Sequence, residues 1–369
     1  MSSSSPASPI RSQTKAPARK IHQQKRERES GARSVGGSLP ADFSSPAKKI
    51  PHFEISLPRP ASASHGPKKY PFGSEWKPIP LGLRELRLEI TLNCGQVFRW
   101  SRTRVSGEAE YVGVLRKSVI EMRQGPDQVF YRVLFSLLDS GDRIHGEVLD
   151  FFNAHPGTGI KLEDLYAHFS TRDPVLFEKI APHCPGVRIL RQDPLECLLS
   201  FLCTSNNNIA RITLMIEKLC EKYGTRIGEH EGASYFAFPT VRQLEGATEP
   251  ELREIGFGYR AAYLVKTLKQ LGDKAGEQRI ASGEAAGGLD QDALLRLYFD
   301  KLRTLDVDRT LQELMEFAGI GLKCAACISL YSCDKHDVVP IGNKNKQTNK
   351  HKANLGLRNT AGFSTNQLF

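Results

Sequence analysis

The fold is decided by the stretch Phe317-Ala318-Gly319-Ile320-Gly321-Leu322-Lys323, which stands between two apolar helical patterns. Glycine permits a tight backbone turn and a close approach to another molecule, so the stretch predicts two helices joined by a short hairpin. The amides that open the second helix can face a phosphate group, and the amine of Lys323 can act as a nucleophile. A plain glycine turn followed by a solvated lysine also fits this stretch when it is taken alone.

Helical patterns dominate the chain on the N-terminal side of this hairpin. Asp193-Pro194 predicts a helix start, with Asp193 as the cap and Pro194 in the first turn. A second helix is predicted from Ile209 to about Tyr223, after the polar run 205–208. Further helices are predicted over Ala261–Leu271, Ala293–Leu302, Thr310–Phe317 and Lys323–Leu330, and residues 283–288 predict a flexible connection.

Short β-like runs occupy the region before the helices. They lie at residues 97–100, 111–115, 119–122 and 129–133 and are separated by Gly, Ser and Pro. They predict an antiparallel sheet of four or five strands. The fold class is therefore α+β, with an antiparallel β-rich domain over residues 71–156 and a helical domain over residues 157–341.

The net charge of +10 is concentrated in the two ends of the chain. Residues 1–70 hold 13 Lys and Arg against four acids, and residues 342–369 hold five against none, so the part between is net acidic. Both ends are predicted to be disordered tails with an affinity for polyanions. The basic cluster 15–33 favours a nuclear location or a solvated linker, and an organelle signal stays open.

Composition also limits the classes of protein and of site. No apolar run approaches the roughly 20 residues of a membrane-spanning helix, and no secretory signal is evident. Eight cysteines in such a chain do not predict a disulfide framework. Cys324, Cys327 and Cys333 lack a fourth cysteine nearby, which argues against an iron–sulfur cluster. Neither a metal nor another cofactor is expected.

Four segments together resemble the eukaryotic, plant-like 8-oxoguanine DNA glycosylase/AP lyases of the helix-hairpin-helix family. They are residues 95–100, 186–213, 256–261 and 319–323, and the resemblance covers roughly residues 75–341. It implies an enzyme that flips an oxidised guanine out of duplex DNA and cleaves its glycosidic bond. It also implies a monomer that acts on oxidised guanine opposite cytosine, in the nucleus and away from membranes.

The resemblance assigns roles to residues of the helical part. Lys323 would attack the sugar C1′, expel the base and leave a Schiff base that permits strand cleavage by β-elimination. Asn206 would fill the vacated space, Tyr259 would hold the stack open, and Arg211 and Arg260 would bind the unpaired cytosine. The alternatives are helix capping for the asparagine, a half-buried core ring for the tyrosine and surface ion pairs for the arginines.

Further roles concern the base pocket and the hairpin. By resemblance, the backbone carbonyl of Gly95 reads the proton that oxidised guanine carries at N7. Cys327 lies one helical turn beyond Lys323 and would pack on the flipped base. Gly319 and Gly321 would form the DNA-binding hairpin. A turn glycine and a small buried side chain are the alternatives for Gly95 and Cys327.

The sequence departs from the family pattern directly after Val339-Pro340-Ile341. The family places an essential aspartate there and a histidine two residues later, whereas this chain has Gly342 and Lys344. The family's remaining helices, which supply a glutamine and a phenylalanine to the base pocket, have no counterpart. We therefore expect impaired excision. The alternatives are a catalytically weak DNA-binding splice variant and a truncated product without a function of its own.

Overall fold

A computed structural model describes residues 75–105, 108–138, 140–154, 161–283 and 288–340. The predicted tails, including Gly342 and Lys344, and most of the connection 283–288 lie outside the described residues. No helix in the described ranges is long and apolar enough to cross a membrane.

A five-stranded antiparallel sheet forms the N-terminal part of the described chain, in the order β1-β5-β4-β3-β2. This confirms the predicted sheet. Its strands are β1 (Lys77–Ile79), β2 (Trp100–Val105), β3 (Glu108–Leu115), β4 (Ser118–Gln124) and β5 (Val129–Ser136).

The strand predicted over residues 97–100 is wrong, because β2 begins only at Trp100. Val97 and Phe98 are both buried, but they lie in a loop and pack into two different clusters, Val97 beneath the sheet and Phe98 among the helices. Consecutive apolar residues therefore mark a loop between two cores, which a strand pattern cannot distinguish.

Helices make up most of the remaining described chain, which confirms the α+β class. They are α1 (Leu88–Thr91), α2 (Gly141–Phe151), α3 (Leu162–Arg172), α4 (Phe177–Ile180), α5 (Pro194–Leu202), α6 (Ile209–Tyr223), α7 (Val241–Leu244), α8 (Glu249–Glu254), α9 (Arg260–Ser282), α10 (Gln291–Thr304), α11 (Val307–Met315) and α12 (Leu322–Ser332). A two-stranded ribbon, β6 (Arg226–His230) and β7 (Ala233–Phe236), was not foreseen from the sequence.

The predicted start of α5 is confirmed by its cap. The Asp193 carboxylate accepts hydrogen bonds from the amides of Leu195 (3.1 Å) and Glu196 (3.2 Å), and Pro194 occupies the first turn. The predicted end of α9 at Leu271 is wrong, since the helix continues to Ser282. Only Ala275 is buried beyond Leu271, so the apolar pattern fades while good helix formers carry the helix onward.

One large apolar cluster centres on the helices, and α5 and α12 are its most buried members. Every residue of α5 from Cys197 to Leu202 is buried, as is the run Cys324–Ser329 of α12. The sheet is tied to this core by the segment before α5, where the amide of Gln192 donates to the carbonyl of Tyr331 at 2.7 Å. This bond holds the C-terminal end of α12, the helix that carries Lys323.

Asp334 follows α12 directly and lies in the turn at its end. It adopts a positive φ of 58° and accepts two hydrogen bonds from Arg191, at 2.8 and 2.9 Å. Burial alone would raise the pKa of Asp334, but the hydrogen bonds and charge of Arg191 outweigh it and hold that pKa below its ordinary value.

Candidate active site

The glycine hairpin between α11 and α12 assigns different tasks to its two glycines. Gly319 has a φ of +82°, and a Cβ there would lie 2.9 Å from Cγ of Tyr263. Gly321 has an ordinary φ of −92° and is the N-cap of α12, and no atom lies within 4 Å of the position that a Cβ would occupy. Gly319 is thus required by the turn, whereas Gly321 leaves open space in front of the helix amides.

Lys323 lies in the first turn of α12, half-buried, and its Nζ is 5.5 Å from the centroid of the Phe201 ring. Cys327 follows one turn later and is 3 % exposed. Burial raises the pKa of the Cys327 thiol, and the charge and hydrogen bond of Lys323 oppose that rise. The predicted proximity of the amine and the thiol is therefore present in the structure.

Two aromatic residues that the sequence interpretation missed complete this side of α12. The ring of Tyr331 stacks on that of Phe201 at 5.6 Å and 28°. Lys323, Cys327 and Tyr331 recur at every fourth residue, so helical spacing could have indicated Tyr331. Phe201 had no such signal, because it lies among the core residues of α5.

Gly95 lies on the loop before β2, next to the start of α6. Its φ is +87°, and a Cβ there would lie 3.4 Å from Cδ1 of Ile209. The buried side chain of Gln96 fixes the loop, since it donates to the carbonyl of Arg188 and accepts from the amide of Leu190, both at 3.0 Å.

The Gly95 loop also approaches α12. Gln192 bridges the two, because its side-chain amide donates to the carbonyl of Gln96 at 2.8 Å and its backbone amide donates to the carbonyl of Tyr331 at 2.7 Å. The loop that carries Gly95 is therefore linked to the C-terminal end of α12, the helix on which Lys323 and Cys327 lie.

The loop that contains Asn206 contacts the start of α9. The hydroxyl of Tyr259 donates to the carbonyl of Ser205 at 3.0 Å, and the Arg260 guanidinium donates to the carbonyls of Ser205 and Asn206, the latter at 3.2 Å. Thr204 extends the contact to α12, since its hydroxyl lies 3.6 Å from Sγ of Cys324. The structure thus brings Asn206, Tyr259 and Arg260 together beside the helix that carries Lys323.

The three asparagines of this loop differ in what holds them. Asn208 caps α6 by accepting from the amide of Arg211 at 3.0 Å, and Asn207 donates to the carbonyl of Cys203 at 2.9 Å. Both follow the capping and turn alternative. Asn206 is exposed with a φ of +48° and has no side-chain hydrogen bond within the described ranges, so it is the asparagine free to meet another molecule.

The two arginines expected at the unpaired base differ in exposure. Arg211 is exposed in the first turn of α6, and its guanidinium has no ion pair or hydrogen bond to any described residue. Arg260 is 2 % exposed, with its guanidinium turned onto the carbonyls of the Asn206 loop. A contact from Arg260 to a base would require it to exchange these carbonyls for base acceptors. Its role stays a prediction.

The sequence matches two family profiles that together cover the described folded region. Residues 78–198 match the N-terminal domain of 8-oxoguanine DNA glycosylase, and residues 199–345 match the HhH-GPD superfamily of base excision DNA repair proteins. The N-glycosylase/DNA lyase of Saccharomyces cerevisiae is 31% identical over 284 residues, which cover 74% of this chain and 68% of the relative. The chain belongs to the 8-oxoguanine DNA glycosylase/lyase family.

Other family members extend this similarity. N-glycosylase/DNA lyase OGG1 of Arabidopsis thaliana is 37% identical over 269 residues, 72% of this chain and 66% of the relative. The chain thus spans about two thirds of the length of these two curated relatives. The apo-form structure of the Clostridium acetobutylicum 8-oxoguanine glycosylase/lyase matches with a TM-score of 0.57 at 26% identity, over 80% of this chain and 92% of that one.

A solved complex of the Clostridium acetobutylicum family member contains double-stranded DNA with cytosine opposite 8-oxoguanine. It matches with a TM-score of 0.57 at 26% identity and covers 79% of this chain and 89% of that one. Within the described residues, no group of three or more His, Cys, Asp or Glu side chains is arranged to hold a metal ion.

Proposed function

We propose that this chain acts on duplex DNA as a glycosylase and AP lyase that removes 8-oxoguanine opposite cytosine. The observation that carries the proposal is the position of Lys323. Its amine stands in the first turn after a glycine hairpin, 5.5 Å from the Phe201 ring and one turn from Cys327, in a member of the 8-oxoguanine glycosylase/lyase family. A half-buried amine beside helix amides that can hold a phosphate is placed to meet a sugar carbon.

The chemistry follows from an amine nucleophile. The Lys323 nitrogen forms a bond to C1′ of the sugar while the bond from C1′ to the base breaks, and the base leaves with the bonding electron pair. Opening of the sugar ring gives an iminium ion, which acidifies the protons on C2′. Loss of one such proton expels the 3′ phosphate and cleaves the strand, and hydrolysis of the imine then regenerates the amine.

The exposed loops at the start of α6 and α9 supply the proposed strand-opening groups. Extruding a base costs a few kcal/mol, so other groups must fill the gap and bind the orphaned partner. Tyr259 is 48% exposed and would act as the wedge, while Asn206 would enter the vacated space. Arg211 has a free guanidinium for the cytosine, and Arg260 would join it after leaving its two carbonyl partners.

The proposed base pocket lies between the Gly95 loop and the side of α12. The carbonyl of Gly95 would accept the N7 proton of the oxidised guanine, and Cys327 would pack on its face. The φ of +87° at Gly95, which favours glycine, sets the direction of this carbonyl. Gly319 and Gly321 would present the hairpin amides to a DNA phosphate.

Gly342 and Lys344 support a second candidate function, DNA binding with inefficient excision. A carboxylate at position 342 would stabilise positive charge on the sugar, and a glycine cannot. The hairpin amides do not need that carboxylate, so phosphate binding can persist without efficient chemistry. The chain would act in the nucleus, with basic residues 15–33 as the nuclear-localisation segment. Its folded part would divide into domains 71–156 and 157–341.

Single-turnover excision from a duplex that carries one 8-oxoguanine opposite cytosine tests these proposals. We expect slow excision by the 369-residue chain, a faster rate for Gly342→Asp, and none for Lys323→Gln. The matched control is Lys301→Gln, which removes an exposed lysine from α10 and should leave the rate unchanged. Excision by Lys323→Gln at the wild-type rate would refute the proposed nucleophile. An unchanged rate for Gly342→Asp would refute the explanation of slow excision.

A further inference from the structure

Helix α9 contacts both the proposed wedge and the hairpin that precedes Lys323. It begins directly after Tyr259, and three of its side chains, at 263, 267 and 270, lie on one face at helical spacing. All three side chains contact the hairpin. This arrangement places the strand-opening ring and the nucleophile's support on a single helix.

Gln270 and Thr267 bind the polar backbone groups of the hairpin. Oε1 of Gln270 accepts from the amide of Ala318 at 2.9 Å, and its Nε2 donates to the carbonyl of Glu316 at 2.7 Å. The hydroxyl of Thr267 donates to the carbonyl of Ala318 at 3.0 Å. Both backbone groups of Ala318 are therefore bonded by side chains of α9, one residue before the turn glycine.

Tyr263 contacts the next residue of the hairpin. Tyr263, Thr267 and Gln270 together are called the α9 clasp below. Its ring lies against Gly319, and it also meets the ring of Tyr259 edge-on, with centroids 6.2 Å apart and planes at 88°. Tyr263 is 43% exposed, so its packing against these two neighbours is not explained by burial in the core. The tyrosine pair links the proposed wedge to the turn of the hairpin.

A glycine turn of this kind needs such support. Glycine has more accessible backbone conformations than any other residue type, so a turn at Gly319 without such contacts would sample several of them. The N-terminus of α12 follows only two residues later, so any variation at Gly319 moves the helix amides and the amine of Lys323. Misplacing a reacting group by about 1 Å is enough to slow a reaction about a hundredfold.

We propose that Gln270 and Thr267 are positioning residues that hold the hairpin, and with it Lys323, in a fixed arrangement relative to the wedge Tyr259. Helix α9 then couples the opening of the DNA stack to the approach of the amine. Neither side chain touches the reacting atoms. The inference rests on the proposed glycosylase/lyase function, since it concerns the same nucleophile.

The experiment compares variants of the full chain that remove the clasp with one that removes an equivalent bond elsewhere. Thr267→Val and Gln270→Met delete the hydrogen bonds at nearly constant volume, and Thr267→Ser keeps the hydroxyl. The matched control is Thr310→Val, because Thr267 and Thr310 are both 0% exposed and both donate to a backbone carbonyl. Thr310 lies at the start of α11, at the opposite end from the hairpin.

Two measurements are made on each variant. Hydrogen exchange of the peptide that contains Ala318 reports the clasp directly, without any activity. The rate of borohydride-trapped adduct formation with abasic-site duplex DNA reports the position of Lys323, and fluorescence anisotropy gives the dissociation constant of the same duplex.

We expect Gln270→Met to speed exchange at the hairpin and to slow trapping about tenfold, while the dissociation constant changes less than about twofold. Thr267→Val should show a smaller effect in the same direction, and Thr267→Ser should match the wild type. Thr310→Val should lower the melting temperature yet trap at the wild-type rate. Equal slowing by Thr310→Val, or unchanged trapping by Gln270→Met, would overturn the inference.

The two proposals fail in different ways. A wild-type chain that forms no adduct with any DNA would contradict the proposed chemistry, and the clasp is then judged by exchange alone. Faster exchange at Ala318 in Gln270→Met but not in Thr310→Val would still support it. Equal exchange in the two variants would overturn it.

Discussion

Replacing Gly319 with alanine should strain the hairpin for two separate reasons. A non-glycine residue at a φ of +82° costs about 1–3 kcal/mol. The new methyl group would lie 2.9 Å from Cγ and 3.0 Å from Cβ of Tyr263, atoms close to the backbone that cannot swing away cheaply. Overpacking of this kind adds about 1–3 kcal/mol, so we expect a total loss of about 2–6 kcal/mol in the free energy of unfolding.

Gly321→Ala should have the opposite profile. Its φ of −92° suits alanine, and no atom lies within 4 Å of the added methyl. Loss of a glycine N-cap costs below about 1 kcal/mol, so the folded state should be nearly unaffected. The methyl would stand where a phosphate must approach the helix amides, and losing one charge-assisted hydrogen bond should weaken DNA binding about tenfold.

Urea denaturation and fluorescence anisotropy with duplex DNA separate the two substitutions. Gly319→Ala should lower the unfolding free energy strongly, and Gly321→Ala should lower mainly the affinity for DNA. Equal destabilisation by the two substitutions would refute the division of tasks within the hairpin. Wild-type DNA affinity in Gly321→Ala would refute the phosphate site in front of α12.

The remaining predictions concern charge, capping and the exposed asparagine. Burial raises the pKa of Glu196 from 4.5 to about 7. The free energy of unfolding should therefore be highest below pH 4.5 and should fall by up to about 3 kcal/mol as the pH rises through 7. Urea denaturation at a series of pH values should show no such decrease in Glu196→Gln. A decrease of the same size in that variant would show that Glu196 is not its cause. Asp334→Asn removes the charged partner of Arg191 and should lower the free energy of unfolding by about 1–3 kcal/mol at pH 7. The loss should vanish once the pH falls below the lowered pKa of Asp334, because the wild-type carboxyl is then neutral as well. An equal loss at that acid pH would contradict the role of the Asp334 charge. Asn208→Ala removes the cap of α6 and should lower the free energy of unfolding by about 1 kcal/mol. Asn206→Ala should change the free energy of unfolding by less than about 0.5 kcal/mol and reduce excision. The reverse pattern would show that Asn206 is the structural residue and Asn208 the functional one.

Local sequence rules predicted much of the site's framework. Asp193-Pro194 marked the start of α5, and the glycine hairpin placed Lys323 at the start of α12 with Cys327 one turn later. These features depend on capping and on the helical repeat, which act within a few residues. They are therefore readable without knowledge of the tertiary neighbours.

What escaped prediction depends on contacts between distant segments. The difference between Gly319 and Gly321 arises from Tyr263, which belongs to another helix. The burial of Arg260 arises from carbonyls more than 50 residues earlier in the chain. Periodicity reports that a residue is buried or exposed, but it does not report which segment covers it.

The wall of the pocket and the loop before β2 illustrate the same limit. Phe201 is one of several buried residues of α5, and only the packing of α5 against α12 places it beneath the amine of Lys323. The run before β2 resembled a strand because Val97 and Phe98 are both apolar, yet each enters a different core. Composition could not separate these cases.

Mass spectrometry of the borohydride-trapped adduct identifies the nucleophile of this chain. The 369-residue chain is incubated with duplex DNA that carries 8-oxoguanine or an abasic site opposite cytosine, reduced, digested with nuclease and protease, and mapped. We expect a reduced sugar adduct on the peptide that contains Lys323, and no adduct in Lys323→Gln. An adduct on another lysine, or an adduct that survives Lys323→Gln in equal yield, would contradict it.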